Sequence, residues 1–148
     1  MRKRPWKYSL DESLGYLTAN ASRAILKRIN QELASRGFPV TSDQFLVLVH
    51  LWDQGRMPQY ALVEKLYKDK THIARLVASI EAQGLVSRRT GQHDAREKIV
   101  CLTPKGGDMM ARIAALVQEV LNRAQRGIEE RDLKICREVL RRFHANLL

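Results

Sequence analysis

The sequence predicts a mainly α-helical fold with one small β-hairpin, on three observations. An amphipathic helix from Asp69 to Gly84 follows a shorter helical stretch across a tight break at Lys68, which is helix-turn-helix spacing. Past Gly84, Val86 to Thr90 and Lys98 to Thr103 have the character of two short strands. Gly91, Gln92, His93 and Asp94 lie between them, with Arg88, Arg89, Arg96 and Lys98 nearby. Both ends of the chain carry long apolar-striped helices with little chain of their own left to cover the stripe. Together these give a winged helix-turn-helix over residues 41–103, flanked by N- and C-terminal dimerisation helices over 9–36 and 104–148, within a single domain spanning 1–148.

Taken in order, Met1 to Tyr8 place Arg2, Lys3, Arg4 and Lys7 around Trp6, a basic arm that either touches phosphates or is simply solvated. Ser9 with Glu12 fits a capping box, so the first helix is expected from Ser9. Leu10, Leu14, Leu17, Ala21, Ile25, Ile29 and Leu33 recur at spacings of three and four, and Gly37 and Pro39 end the run. Thr41 or Ser42 caps a second helix that reaches Gly55. It is apolar nearly all round, from Phe45 to Trp52, and so is expected to be covered on most sides. Pro58 sits in the first turn of a short third helix. Asp69 caps the fourth helix, on which Ile73, Leu76, Val77 and Ile80 form the apolar face and Thr71, His72, Arg75 and Ser79 the polar one. Gly84 suits the left-handed conformation just past a helix end.

Thr103 as cap and Pro104 at the first position start a fifth helix running to about Gln125, striped by Met109, Ile113, Leu116, Val117, Val120 and Leu121. A last helix, from about Glu129 to Leu147, carries Leu133, Cys136, Val139, Leu140 and Phe143. Acids stand at its N-terminus and Arg141, Arg142 and His144 near its C-terminus, as the helix dipole favours.

Composition bounds the function. A chain of 148 residues can bury a real core, and 45% hydrophobic with 28% charged residues excludes a disordered one. The net charge of +10 favours a polyanionic partner, nucleic acid or an anionic membrane surface, beside the plainer reading of charge kept for solubility. Cys101 and Cys136 make no disulfide framework, and no CxxC or Cys/His cluster suggests zinc. Cys136, on the last stripe, is expected to be a buried small hydrophobe, and Cys101, out of phase with Val100 and Leu102, to be partly exposed. His50, His72, His93 and His144 follow no HExxH or paired-carboxylate spacing, and His50 reads as a core histidine. No metal, cofactor or catalytic constellation is expected, hence no enzyme. No apolar run approaches a membrane span and no signal-peptide core is present, so the expected location is the cytoplasm, with no membrane partner.

THIARLVASIEAQGLVSRR (Thr71 to Arg89), then Asp94 and Arg96, then VCLTPKG (Val100 to Gly106) resemble the MarR family of bacterial winged-helix regulators, and helix order and length match over essentially the whole chain. The resemblance implies a homodimer bound to a pseudo-palindromic DNA site, often as a repressor relieved by a small ligand or by oxidation. Oxidation-sensing members commonly carry a reactive cysteine near the N-terminal helix. This chain has none there, which disfavours a thiol switch. In one respect it departs from the pattern: the family's wing usually has two adjacent arginines after its aspartate, and here Ala95 precedes Arg96.

The expected DNA-binding residues follow. Lys70, Thr71, His72 and Arg75 lie on the exposed side of the fourth helix, where Arg75 either makes a bidentate contact to guanine or sits on phosphate. Arg96 is the wing-tip residue for the minor groove, with Asp94 structural, pairing with Arg96 or capping the turn. Arg88, Arg89 and Lys98 are expected on phosphates. Gln59 and Tyr60, at the start of the third helix, are further candidates, with packing an equal reading for Tyr60. Arg23, His50, Trp52 and Met109 are the candidates for an effector pocket between the end helices and the winged region. The function read from this is a homodimeric, sequence-specific transcriptional regulator, a repressor responding to a small molecule. The alternative is a non-sequence-specific architectural protein using the same charge.

Overall fold

The computed structural model describes residues 9–148; the basic arm expected over 1–8 lies outside the described residues. A single turn of 3-10 helix (Leu10–Glu12) leads into α1 (Leu14–Ser35). Then come α2 (Ser42–Gln54), β1 (Arg56–Pro58), α3 (Gln59–Leu66), α4 (Lys70–Ala82), β2 (Val86–Thr90), β3 (Lys98–Leu102), α5 (Pro104–Ala124) and α6 (Glu130–Ala145). The fold is mainly α with a small antiparallel sheet, as the sequence predicts.

The caps explain most boundaries. Thr41 and Gln44 form a complete capping box at α2, the Thr41 hydroxyl accepting from Gln44 N and the Gln44 side chain accepting from Thr41 N. Thr103 Oγ1 accepts from Gly106 N at the start of α5 and donates to Gly84 O, so one hydroxyl fastens the fifth helix to the exit of the fourth. Gly106 is forced by contact: a Cβ there would meet Leu85 O at 2.1 Å.

Four expectations are corrected. Ser9 caps nothing with its side chain. Ser13 Oγ accepts from Tyr16 N instead, so α1 begins at Leu14 and the Ser9–Glu12 segment makes only a short 3-10 turn. The hairpin is a three-stranded sheet in the order β1-β3-β2, because Arg56–Pro58 adds an edge strand. Pro58 consequently ends that strand and occupies the cap position of α3, not its first turn. On α5 the buried stripe runs through Gly106, Met110, Ile113, Leu116 and Val120, leaving Met109 half-buried.

The core lies where α1, α2, α4 and α5 meet the sheet. Leu33, Val47, Leu48, Leu51, Leu62, Ile73, Val77, Ile80, Leu85, Val100 and Ile113 have no measurable exposure. Helices α1 and α5 pack along each other, and Arg36 bridges their far ends to Glu119 at 2.6 Å. Helix α6 contrasts with all of these: it has no buried residue. Cys136, expected to be buried, is exposed with it; on the stripe it shares, Leu133 and Phe143 reach only half-burial.

Candidate nucleic-acid interface

Helix α4 is held by one face and open on the other. Its cap is Asp69, whose Oδ1 accepts from His72 N at 2.9 Å, and that bond holds the Asp69 carboxyl below its ordinary pKa. Ile73, Val77 and Ile80 are fully buried, while Lys70, Thr71 and Arg75 are exposed. The side chains expected on the polar face divide there. Ser79 is half-buried and accepts from Gln44 Nε2 on α2, so it staples two helices together. His72 is turned toward α2, its Nε2 3.4 Å from Asp43 Oδ2 and making no hydrogen bond. Lys68 Nζ lies 3.4 Å from the other oxygen of the same carboxylate. Thr71 and Arg75 are the two that remain unengaged on the open face.

The preceding turn is unusual in its backbone. Tyr67 closes α3 in the left-handed region (φ 51°), a conformation that glycine adopts freely and tyrosine rarely. Its hydroxyl is hydrogen-bonded to His144 Nε2 on α6 at 2.8 Å, with the two rings edge to face.

The wing loop between β2 and β3 is built from three short contacts. Gly91 N donates to Glu97 O at 2.8 Å, Glu97 N to Asp94 O at 3.1 Å, and Arg96 N to Asp94 Oδ1 at 2.8 Å. Asp94 therefore caps the turn, one of the two structural roles expected of it. Gly91 admits no side chain, since a Cβ would meet Glu97 Oε2 at 2.5 Å and Asp94 O at 2.8 Å. Arg96 is exposed at the tip of this closed loop.

Gln59, Tyr60, Lys70, Arg96 and Lys98 are brought together around one cavity of about 360 Å³, which Val63, Glu64 and Glu97 complete. Gln59 is only 8% exposed and its Oε1 has no partner, whereas Tyr60 is 60% exposed. Three cations drawn from α4, the wing loop and β3 thus line one cavity beside the open face of α4.

Arg88 and Arg89 are placed elsewhere. Arg88 donates from its backbone N to Glu81 Oε2 (3.0 Å), and from Nε (3.1 Å) and Nη2 (2.8 Å) to Glu81 Oε1. This contact pulls the Glu81 carboxyl below its ordinary pKa and raises that of the guanidinium. Arg88 is a strut between α4 and β2, a role that spacing alone does not reveal. Arg89 projects from the opposite face of the sheet, into a second cavity.

The residues expected to line an effector pocket are spread over α1, α2 and α5. Arg23 is exposed on α1, His50 half-buried on α2, Trp52 45% exposed, and Met109 half-buried on α5. None of them lines the two cavities above or the cavity of about 320 Å³ between α1 and α5. Burial, with Lys65 assisting and Asp53 opposing, holds the His50 imidazole below its ordinary pKa.

Apart from Trp52, Tyr60 and Tyr67, the exposed large apolar residues lie toward the two ends of the chain, among them Leu10, Leu14, Tyr16 and Leu17 before and within α1, and Ile135, Val139 and Leu140 on α6. Among the described residues there is no group of metal-binding side chains, and no helix is long and apolar enough to cross a membrane.

A model of the MarR family matches residues 40–98. Among curated relatives, the chain is similar to an organic hydroperoxide resistance transcriptional regulator of Bacillus subtilis (strain 168), 25% identical over 131 residues that make up 88% of this chain and 86% of that protein. Among solved structures, transcriptional regulator PA3341 is 34% identical with a TM-score of 0.80, over 91% of this chain and 98% of that one. CouR from Rhodococcus jostii RHA1, solved with p-coumaroyl-CoA bound, is 24% identical with a TM-score of 0.78, over 90% of this chain and 93% of that one.

Proposed function

Because the chain belongs to the MarR family of transcriptional regulators, we propose that it acts as a homodimeric, sequence-specific DNA-binding protein, a repressor whose hold on DNA is relieved by a small-molecule effector. The observation that carries this reading is the open polar face of α4, with Thr71 and Arg75 unengaged, beside the three cations Lys70, Arg96 and Lys98. In this reading α4 enters the major groove N-terminus first, Arg75 reads a base edge, and Lys70 and Lys98 position the helix on phosphates. Arg96 follows into the minor groove, where narrow A·T tracts concentrate negative potential.

A single α4 covers too short a stretch of duplex for a selective site. The exposed stripes of α6 and of the start of α1 support a second copy, and two-fold dimers are the commonest soluble assemblies. Two copies of α4 would then meet successive major grooves about one turn, ~10 bp, apart. Bound across a promoter, such a dimer excludes polymerase without any chemistry of its own, which is the non-enzymatic role read here. An effector acts only by preferring one dimer shape over the other. The p-coumaroyl-CoA held by CouR supports the idea that this fold accommodates organic effectors. The same reading makes the protein cytoplasmic.

The net charge of +10 favours one competitor, a duplex-binding protein without sequence preference. Competition anisotropy separates the two. A labelled duplex taken from the chain's own bound fragments should resist displacement by scrambled DNA at physiological salt. Equal displacement by scrambled DNA, with a steep salt dependence for both, would establish the architectural role instead.

A further inference from the structure

A second cavity lies at the back of the wing, away from the α4 face to which the proposed reading of DNA is given. Strand register places its walls. Across the sheet, Arg56, Cys101 and Ser87 stand in one cross-strand row and Pro58, Ile99 and Arg89 in the next. Residues directly opposite share a face, and successive residues alternate, so these six side chains lie on the face opposite the one that carries buried Met57 and Val100. The cavity, of about 400 Å³, lies over this face and is closed at the loop end by Gln92 and His93.

Its chemistry is one-sided. Arg56 and Arg89 flank an apolar strip of Pro58, Ile99 and Cys101, and no aspartate or glutamate lines the cavity. Neither arginine has an ion-pair partner among the described residues. The cavity at the α4 side differs in this respect, since Glu64 and Glu97 stand among its cations. With no carboxylate in the cavity, an anion meets two guanidinium groups without a competing partner. Each offers a planar fork of donors suited to a carboxylate, phosphate or sulfonate. The apolar strip between them suits a flat hydrocarbon body, and the volume lies in the range of small-molecule sites.

We propose that the back of the wing is a binding site for a small organic anion with an apolar body, held by Arg56 and Arg89 over Pro58, Ile99 and Cys101. An occupant would rest on β1, which runs directly into α3, and on the wing loop. The site does not depend on the chain's reading DNA. DNA phosphate is the other source of the same anionic chemistry, and the test separates the two.

The test uses isotope-labelled full-length protein and naphthoate as the probe, with the uncharged naphthalenemethanol and a scrambled DNA duplex as the other two arms. Naphthoate should give saturable amide shifts at Arg56, His93, Ile99 and Cys101, and naphthalenemethanol should not. Arg56→Gln and Arg89→Gln should each weaken naphthoate about tenfold, as the loss of a charge-assisted hydrogen bond predicts, with the rest of the spectrum unchanged. In the unmutated protein, naphthoate should also slow alkylation of Cys101 by N-ethylmaleimide, peptide mapping separating it from Cys136. Equal binding of the uncharged analogue, shifts lying elsewhere, or unaltered affinity in both variants would overturn the proposal. So would a response of these amides to duplex alone, which would make the cavity part of the DNA contact.

Discussion

Helices α4 and α6 are similar in length and both amphipathic, yet one is complete within a single chain and the other is not. On α4 the apolar residues Ile73, Val77 and Ile80 are fully buried, and Lys70, Thr71 and Arg75 on the other side are exposed. On α6 the apolar residues Ile135, Val139 and Leu140 are 55%, 45% and 40% exposed, and no residue is buried. A free polar face on a packed helix is available to a ligand without structural cost. A free apolar face on an ordered helix exposes hydrocarbon to water at roughly 25 cal/mol per Å² and calls for a cover. The proposed division of labour, reading by α4 and assembly by α6, follows from this contrast.

The largest expected effect comes from attacking the side of α4 that is already satisfied. Ile80→Ala should cost about 2–5 kcal/mol in urea unfolding, since it empties a closed part of the core. The matching change on α6, Leu140→Glu, should leave helix content intact while shifting light-scattering mass from dimer to monomer. DNA affinity should then fall by about two to four orders of magnitude, the scale set by losing a linked second site. A stable dimer after Leu140→Glu would break the comparison.

Arg75→Ala sharpens it from the other side. With base contact, affinity for the preferred duplex should drop by about 1–3 kcal/mol and one position of the site should become indifferent, measured across a panel of single-base variants. A uniform loss over the panel would place Arg75 on phosphate.

The smallest effect concerns the strut behind α4. The Glu81 carboxyl is held below its ordinary pKa by Arg88, so the pair stabilises the fold above the unfolded carboxylate pKa, and that contribution is lost as pH falls through the lower, folded value. Glu119 beside Arg36 behaves in the same sense. For a pair with side chains about a third exposed, Arg88→Met should cost no more than about 1 kcal/mol, and the acid limb of the stability profile should flatten. Phosphate-binding residues contribute to the salt slope of DNA affinity, so that slope should stay as it is. A shallower slope would show that Arg88 leaves Glu81 for DNA.

The sequence made the order of elements legible wherever periodicity and caps agree. Asp69 and Thr103 cap the helices they were expected to cap, Thr41 is the one of two candidates that caps α2, and Gly84 takes the positive φ its position suggested. What it concealed has local reasons. Strand β1 is three residues long, too short for any alternation to register, and its partner β3 lies some forty residues away. Ser13 caps α1 without the acid three residues later that makes Ser9 read as the helix start, so no capping box marks it. His72 and Arg88 read as DNA-facing side chains, but Asp43 on α2 stands next to the first and Glu81 on α4 next to the second. Cys136 follows the stripe faithfully, and it is exposed because that stripe has no buried residue within the one chain. The cavity behind the wing was invisible because its walls come from three strands, each contributing alternate residues.

In the proposed dimer α4 works in duplicate, spaced by helices whose exposed stripes a second copy covers. Selection of genomic fragments by the purified full-length protein, followed by sequencing of what is retained, tests this most directly. The expected result is a shared inverted repeat whose half-sites are centred about one helical turn apart. A shared motif without two-fold symmetry, or no shared sequence at all, would contradict it.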